Sequence, residues 1–138
     1  VIGIIAVLAA VVLVSINPSR QFKLARDSQR VSNVNAILNS INQNMAEHRG
    51  IFICGTDALS LPIVPTIVKS ATSTGGFDLA PCVVPTYISA LPYDPSAVGA
   101  HYGNTSDYDT QYVIYVDAEG RITASSTGEI TSSISVTR

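Results

Sequence analysis

The stretch VIGIIAVLAAVVLVSI, Val1 to Ile16, runs directly into NPSRQFKLARDSQRVSNVNAILNSINQNMAEHRG, Asn17 to Gly50. The first part carries no charge and one hydroxyl, that of Ser15. In the second part apolar residues fall at Leu24, Val31, Val34, Leu38, Ile41 and Met45, and these spacings trace one face of a helix. Arg26, Arg30, Asn33 and Asn44 fall on the opposite face, while Lys23 and Asp27 stand at the i,i+4 spacing of a weak ion pair. Gly50 is placed to cap the end. The reading is an apolar half-helix prolonged by an amphipathic one. Its stripe from Val34 onward packs on its own head, and its earlier part, beyond the reach of so small a head, packs on other subunits.

Sixteen helical residues span about 24 Å, short of the ~30 Å hydrocarbon core of a bilayer. The segment therefore reads as clipped. With no initiating Met, cationic leader or small-residue cleavage site, it does not read as an intact signal peptide. Gly3 and Ala9-Ala10 permit close helix approach, although Gly3 lacks the small partner four residues on that a GxxxG pair requires. The positive-inside rule would hold Arg20, Lys23, Arg26 and Arg30 in the cytoplasm, and a cationic leader upstream of Val1 would offset it. Pro18 forces a choice: the helix starts anew there, or it passes through with a bend or melted turn. Asn17 and Ser19 are suited to bond the freed backbone. Either outcome makes a joint.

The chain has 138 residues, enough for one domain besides the N-terminal segment. Only 13% are charged, against a usual ~25%, which favours packing against copies of itself. Net charge is −2, indicating neither a nucleic-acid binder nor a strongly acidic protein, but the distribution is uneven. Between Asn17 and Arg49 stand five cations and two anions; from Gly50 onward there are three cations and eight anions. A basic collar thus lies below an acidic head. Two expectations follow: independently solvated surfaces, or the collar of one copy facing the head of another.

Cys54 and Cys82 are separated by 27 residues. A disulfide would close that loop, worth about 3–4 kcal/mol in the chain-entropy model, and would place the head outside the cytoplasm. Two reduced core thiols are the alternative. The spacing fits neither CxxC redox chemistry nor a four-ligand zinc site. Six prolines from Pro62 to Pro95, with Gly75-Gly76, exclude long regular elements, leaving an irregular region over 51–110 with a short helix near Leu61 to Ala71. Pattern returns at Gln111 to Val116, a strand; Asp117 to Gly120, a turn; Arg121 to Ser125, its hairpin partner; and Ile130 to Val136, a third strand. The expected fold class is α+β: a long N-terminal helix packed on a small antiparallel sheet. Residues 1–17 form the membrane or filament-core half of the helix, 18–49 the stalk, and 50–138 the head with strands over 111–136.

His48 and His101 lack partners at ligand spacing, and no nucleophile elbow, phosphate loop or HExxH occurs, so an enzyme is not expected and no cofactor is implied. Asp94, Asp107, Asp109 and Asp117 are the weak candidates for a calcium site. Asn104-Thr105-Ser106 matches the glycosylation sequon, and the Ser/Thr-rich tail from Thr123 to Thr137 offers O-linked acceptors.

Val1 to Leu13 resembles the body of the N-terminal helix of type IV pilins and of the pseudopilins of type II secretion. Ala25-Arg26-Asp27-Ser28-Gln29-Arg30 resembles the stretch that follows it in that family, and Leu91-Pro92-Tyr93-Asp94-Pro95 with the late hairpin resembles its heads. The resemblance implies a prepilin trimmed by a dedicated peptidase, an inner-membrane pool and assembly machinery. It also implies an extracellular helical filament whose core bundles the first helices through residues such as Ile2, Ile5, Leu8, Val12, Leu24 and Val31. The family's processing site and early acidic residue would lie before Val1. Adhesion, motility or DNA uptake is the implied role, with contact to DNA or surfaces. A secretion pseudopilin is the alternative within the class, favoured by a calcium site. Outside it stand a monomeric single-pass binding domain and a membrane-tethered enzyme.

Overall fold

The computed structural model describes all residues, Val1 to Arg138. Helix α1 covers Ile2–Ile16 and helix α2 covers Pro18–Glu47. They are separated by Asn17 alone, which takes the left-handed conformation (φ 50°, ψ 76°). The helix starts anew at Pro18, where a missing N–H costs nothing in the first turn, and the two axes diverge by 42°. The Asn17 carbonyl accepts from the Arg20 and Gln21 amides at 3.1 and 3.3 Å, which begins the new hydrogen-bond ladder. At the far end Arg49 (φ 59°) and Gly50 (φ 88°) reverse the chain, and the Gly50 amide closes back on the Met45 carbonyl at 2.8 Å.

The head contains strands β1 (Ile53–Cys54), β2 (Asp57–Ala58), β3 (Thr66–Lys69) and β4 (Gly76–Phe77), and a single helical turn, α3 (Ala80–Val83). Strands β5 (His101–Asn104), β6 (Asp107–Val116), β7 (Ile122–Ser126) and β8 (Ile134–Thr137) follow. β1 and β2 form their own small hairpin, and the other six strands share one sheet in the order β4-β3-β6-β7-β8, with β5 also on β6. All these pairs are antiparallel except β3 with β4, which is parallel. The coarse class, mixed α and β with an N-terminal helix and a small sheet, is as expected, but the sheet is larger and not wholly antiparallel.

The differences have local causes. The helix expected near Leu61 to Ala71 is instead β3, where Pro65 precedes the β-branched run Thr66-Ile67-Val68. β6 starts four residues before the expected Gln111 because Tyr108, Thr110, Tyr112 and Ile114 alternate inward along a single strand. The interruption is Gln111 itself, at φ 60°. Its amide is held by Asp109 Oδ1 at 3.0 Å, at a register shift against β3. The Asp117 to Gly120 turn stands as expected, with Asp117 Oδ1 accepting from the Glu119 and Arg121 amides.

One core of seventeen buried apolar residues joins helix to sheet, with Val34, Ile37, Leu38 and Ile41 of α2 against Val68, Leu79, Val83, Tyr112, Ile114 and Ala124. The expected opposite face of α2 needs correction. Arg30 and Asn44 are 3% and 1% exposed, so they face inward. Asn44 binds the backbone of Ile53 through both side-chain atoms and also the Cys82 carbonyl, tying β1 and α3 to the helix. Asn33, half-buried, donates to the Tyr112 hydroxyl at 2.7 Å.

Candidate functional site

Two features dominate the surface: an apolar helix that nothing in the chain covers, and an ionic clamp that fixes the head to the stalk just above it. No residue of α1 is buried. Ile2 is 85% exposed, Ile5 61%, Leu8 60% and Val12 52%, so the apolar side chains look outward all round the helix. Its one hydroxyl, Ser15 Oγ, donates to the Val12 carbonyl at 3.0 Å and needs no outside partner. Neither helix alone is long and apolar enough to cross a membrane; the bent pair of α1 and α2 meets that test by length and composition.

The clamp is built on Arg30. A guanidinium has five N–H donors, and here all five are engaged. Nε and Nη2 take Asp94 bidentately at 2.7 and 2.9 Å, Nη1 takes Asp27 at 2.8 Å and Glu129 at 3.0 Å, and Nη2 also donates to Ser96 Oγ. Arg26 makes a second bidentate pair with Glu129 at 2.6 and 2.7 Å. The Asp27 carboxylate accepts the backbone amides of Glu129, Ile130 and Thr131 at 2.8, 2.8 and 3.1 Å. The loop between β7 and β8 thus wraps the stalk at Asp27. Gly128 makes the wrap possible, because a Cβ there would overlap the Thr131 carbonyl.

The charges respond accordingly. The Glu129 amide foremost, with those of Ile130 and Thr131 and the Arg30 guanidinium, outweighs burial and holds the Asp27 carboxyl well below the usual carboxylate range. Arg26 and Arg30 hold Glu129 down at about 2. Burial acts to raise Asp94, and Arg30 with the Ser96 and Ala97 amides outweighs it, leaving that carboxyl below its ordinary value. Asp94 in turn raises the Arg30 guanidinium. Every buried side-chain nitrogen and oxygen has a partner.

Several expectations are corrected here. Asp27 pairs with Arg30, not with Lys23. Arg26 and Arg30 of the collar meet carboxylates of their own head, leaving Arg20, Lys23 and Arg49 as the collar cations without an ion pair. The head also reaches a turn and more further down the stalk than its size suggested, since Asp27 is already buried. Leu24 and the 43%-exposed Val31 lie at the rim of that contact.

The calcium candidates do not converge. Asp94 is committed to Arg30, Asp107 faces His101 at 3.1 Å, Asp109 holds Gln111, and Asp117 holds Arg121. No group of three or more His, Cys, Asp or Glu side chains is placed to hold a metal ion. His48 binds the Asn44 carbonyl, and His101 the Gly99 carbonyl and Asp107. Cys54 and Cys82 are joined as a disulfide, with Cα atoms 4.4 Å apart. Asn104 is exposed at the β5–β6 turn, its Oδ1 accepting the Ser106 amide. In the Ser/Thr-rich tail Thr123 and Ser126 are buried, whereas Thr131 to Ser133 are exposed. The clamp as a unit was missed by the sequence reading. Its signal was the presence of charged residues, Asp27 and Arg30, beside the apolar stripe, with Asp94 and Glu129 in a head short of cations.

No protein-family model, curated protein or solved structure matches the chain.

Proposed function

We propose that the chain is a structural subunit of a helical surface filament of the type IV pilin kind. α1 holds the monomer in the inner membrane before assembly, and the matching helices of other copies surround it afterwards. One observation carries the reading: α1 is apolar on every side and its own chain buries none of it. In water such a helix loses about 25 cal/mol for each Å² left uncovered. Lipid and a bundle of like helices both remove that cost, so passage from one to the other is nearly neutral in hydrophobic terms.

The joint and the clamp are consistent with that use. The 42° bend at Asn17 sets the rod off from the stalk, and the clamp fixes the head at a defined height above it. The commitment of Asp94 to Arg30 takes a ligand from the calcium set that would favour a secretion pseudopilus, so the pilus is the preferred member of the class. Its role is assembly, without catalysis.

Electron microscopy of sheared surface material from cells producing the protein tests the reading. Filaments labelled by an antibody to the head are expected. Finding the protein only as monomers or detergent micelles would defeat it and favour a membrane-tethered binding domain.

A further inference from the structure

Two cations stand directly above the apolar rod with no partner in the chain. Arg20 and Lys23 are the first charged side chains after Val1 to Ile16; both are exposed and neither forms an ion pair. Phe22, between them, is 65% exposed and outside the core. We propose that Arg20 and Lys23 bind the headgroups of anionic phospholipids in the leaflet on the head side of the membrane, with Phe22 set into the interface beside them; this rests on the reading above, in which α1 is held in a membrane before assembly.

Local charge balance leaves the pair free. Asp27, at the i+4 position from Lys23, gives one oxygen to Arg30 and the Glu129 amide and the other to the Ile130 and Thr131 amides. Glu129 is taken by Arg26 and Arg30. No anionic side chain precedes Asp27, so the chain up to Ala25 carries two positive side chains and no negative one. Their counter-charge comes from outside the protein, and a phosphodiester headgroup suits both an ammonium and a guanidinium.

Height points to the same partner. Along the helix Arg20 lies about 6 Å and Lys23 about 10 Å from Ile16, and with the rod along the bilayer normal the 42° bend lowers both by about a quarter. The headgroup layer is about 5–8 Å deep on each side. Side chains on a helix lean toward its N-terminus, here the membrane end, so both charges and the Phe22 ring are directed into that layer, and the long stems of the two cations adjust the final depth. Arg26, about 15 Å from Ile16 by the same rise, lies above it. From there the cations of the lower stalk, Arg26 and Arg30, are paired with the head. The change from unpaired to paired cations falls where the lipid ends.

The experiment reconstitutes the full chain into vesicles of equimolar phosphatidylcholine and phosphatidylglycerol and follows spin-labelled lipids of each kind by electron spin resonance. Phosphatidylglycerol is expected to be enriched at the protein by about threefold or more, with the preference weakening as salt rises. Arg20→Gln with Lys23→Gln should bring the two lipids to parity with the head's melting temperature unchanged, because both sites are exposed. Arg20→Lys with Lys23→Arg keeps the charges and should keep the preference. Arg49→Gln, which removes an unpaired cation beyond the far end of α2, should also keep it. No preference in the unaltered chain, a preference that survives the double glutamine substitution, or its loss in either control overturns the lipid contact and leaves α1 in the bilayer. Loss of the preference when inorganic phosphate replaces chloride at equal ionic strength assigns the cations to free phosphate and overturns it as well. A chain that fails to float with the vesicles overturns the membrane-held monomer, and the contact with it.

Discussion

Arg30 is the residue on which the attachment of head to stalk turns. Its five donors satisfy three carboxylates and a serine in a setting where its own side chain is 3% exposed. Removing it leaves Asp94, 5% exposed, without its counter-charge. Breaking a buried pair from one side costs roughly 3–5 kcal/mol, so Arg30→Met is expected to lower unfolding free energy by about that amount in urea titration. Arg30→Lys is expected to recover only part of it, because an ammonium cannot reproduce the fork. The carboxylates also set a pH dependence. Asp27, Asp94 and Glu129 all have folded pKa values below their unfolded ones. Their contribution is therefore complete above the unfolded value of about 4 and is lost as pH falls through the folded values. Stability is expected to stay level from about pH 7 to 5 and to drop between about 4 and 2, with a shallower drop in Glu129→Gln.

Among the elements, the joint and the cross-linked loop make separate predictions. Pro18 begins α2 and Asn17 sits in a left-handed conformation that costs a non-glycine residue about 1 kcal/mol. Pro18→Ala restores an N–H and relieves the clash with the preceding turn, so the two helices are expected to merge and straighten. Spin labels at Leu8 and Gln29 should then show a longer, narrower distance distribution, and an unchanged one would locate the cause of the bend elsewhere. Cys54→Ser should cost about 3–4 kcal/mol of stability by calorimetry, the value for a loop of this length. These two elements were readable in the chain because each depends on one residue type with one strong local effect. β3 and the full length of β6 were not, since the prolines around Thr66–Lys69 obscured a run of only four residues, and Asp107 and Asp109, poor strand formers, stand between the inward-facing Tyr108 and Thr110. The clamp was hidden for a related reason. Asp27 and Arg30 read as surface charges until Asp94 and Glu129, both far along the sequence, arrive beside them.

At the scale of the molecule, the chain divides into a rod that contributes nothing to the core and a head whose core begins at Val34. Removal of residues 1–17 is accordingly expected to leave the head's unfolding free energy within about 0.5 kcal/mol of the full chain's. The shortened chain is also expected to run as a monomer by size-exclusion chromatography without detergent. A change larger than that would mean that α1 touches the head. α1 is exposed on every side whereas α2 buries one side between Asp27 and Asn44, and sequence alone separated the two halves because the first carries no charge and the second begins at a proline.

Traction applied to the apolar rod would travel up α2 and meet the ionic clamp first, at Arg26, Asp27 and Arg30, below the greasy layer that begins at Val34. The first groups to feel the load are thus ionic, and they are cross-braced: slipping any one of the three carboxylates strains the guanidinium shared by the other two. A seam of this kind resists gradual peeling and gives way as a block, so the head should stay seated under steady tension and detach in a single step when its limit is passed.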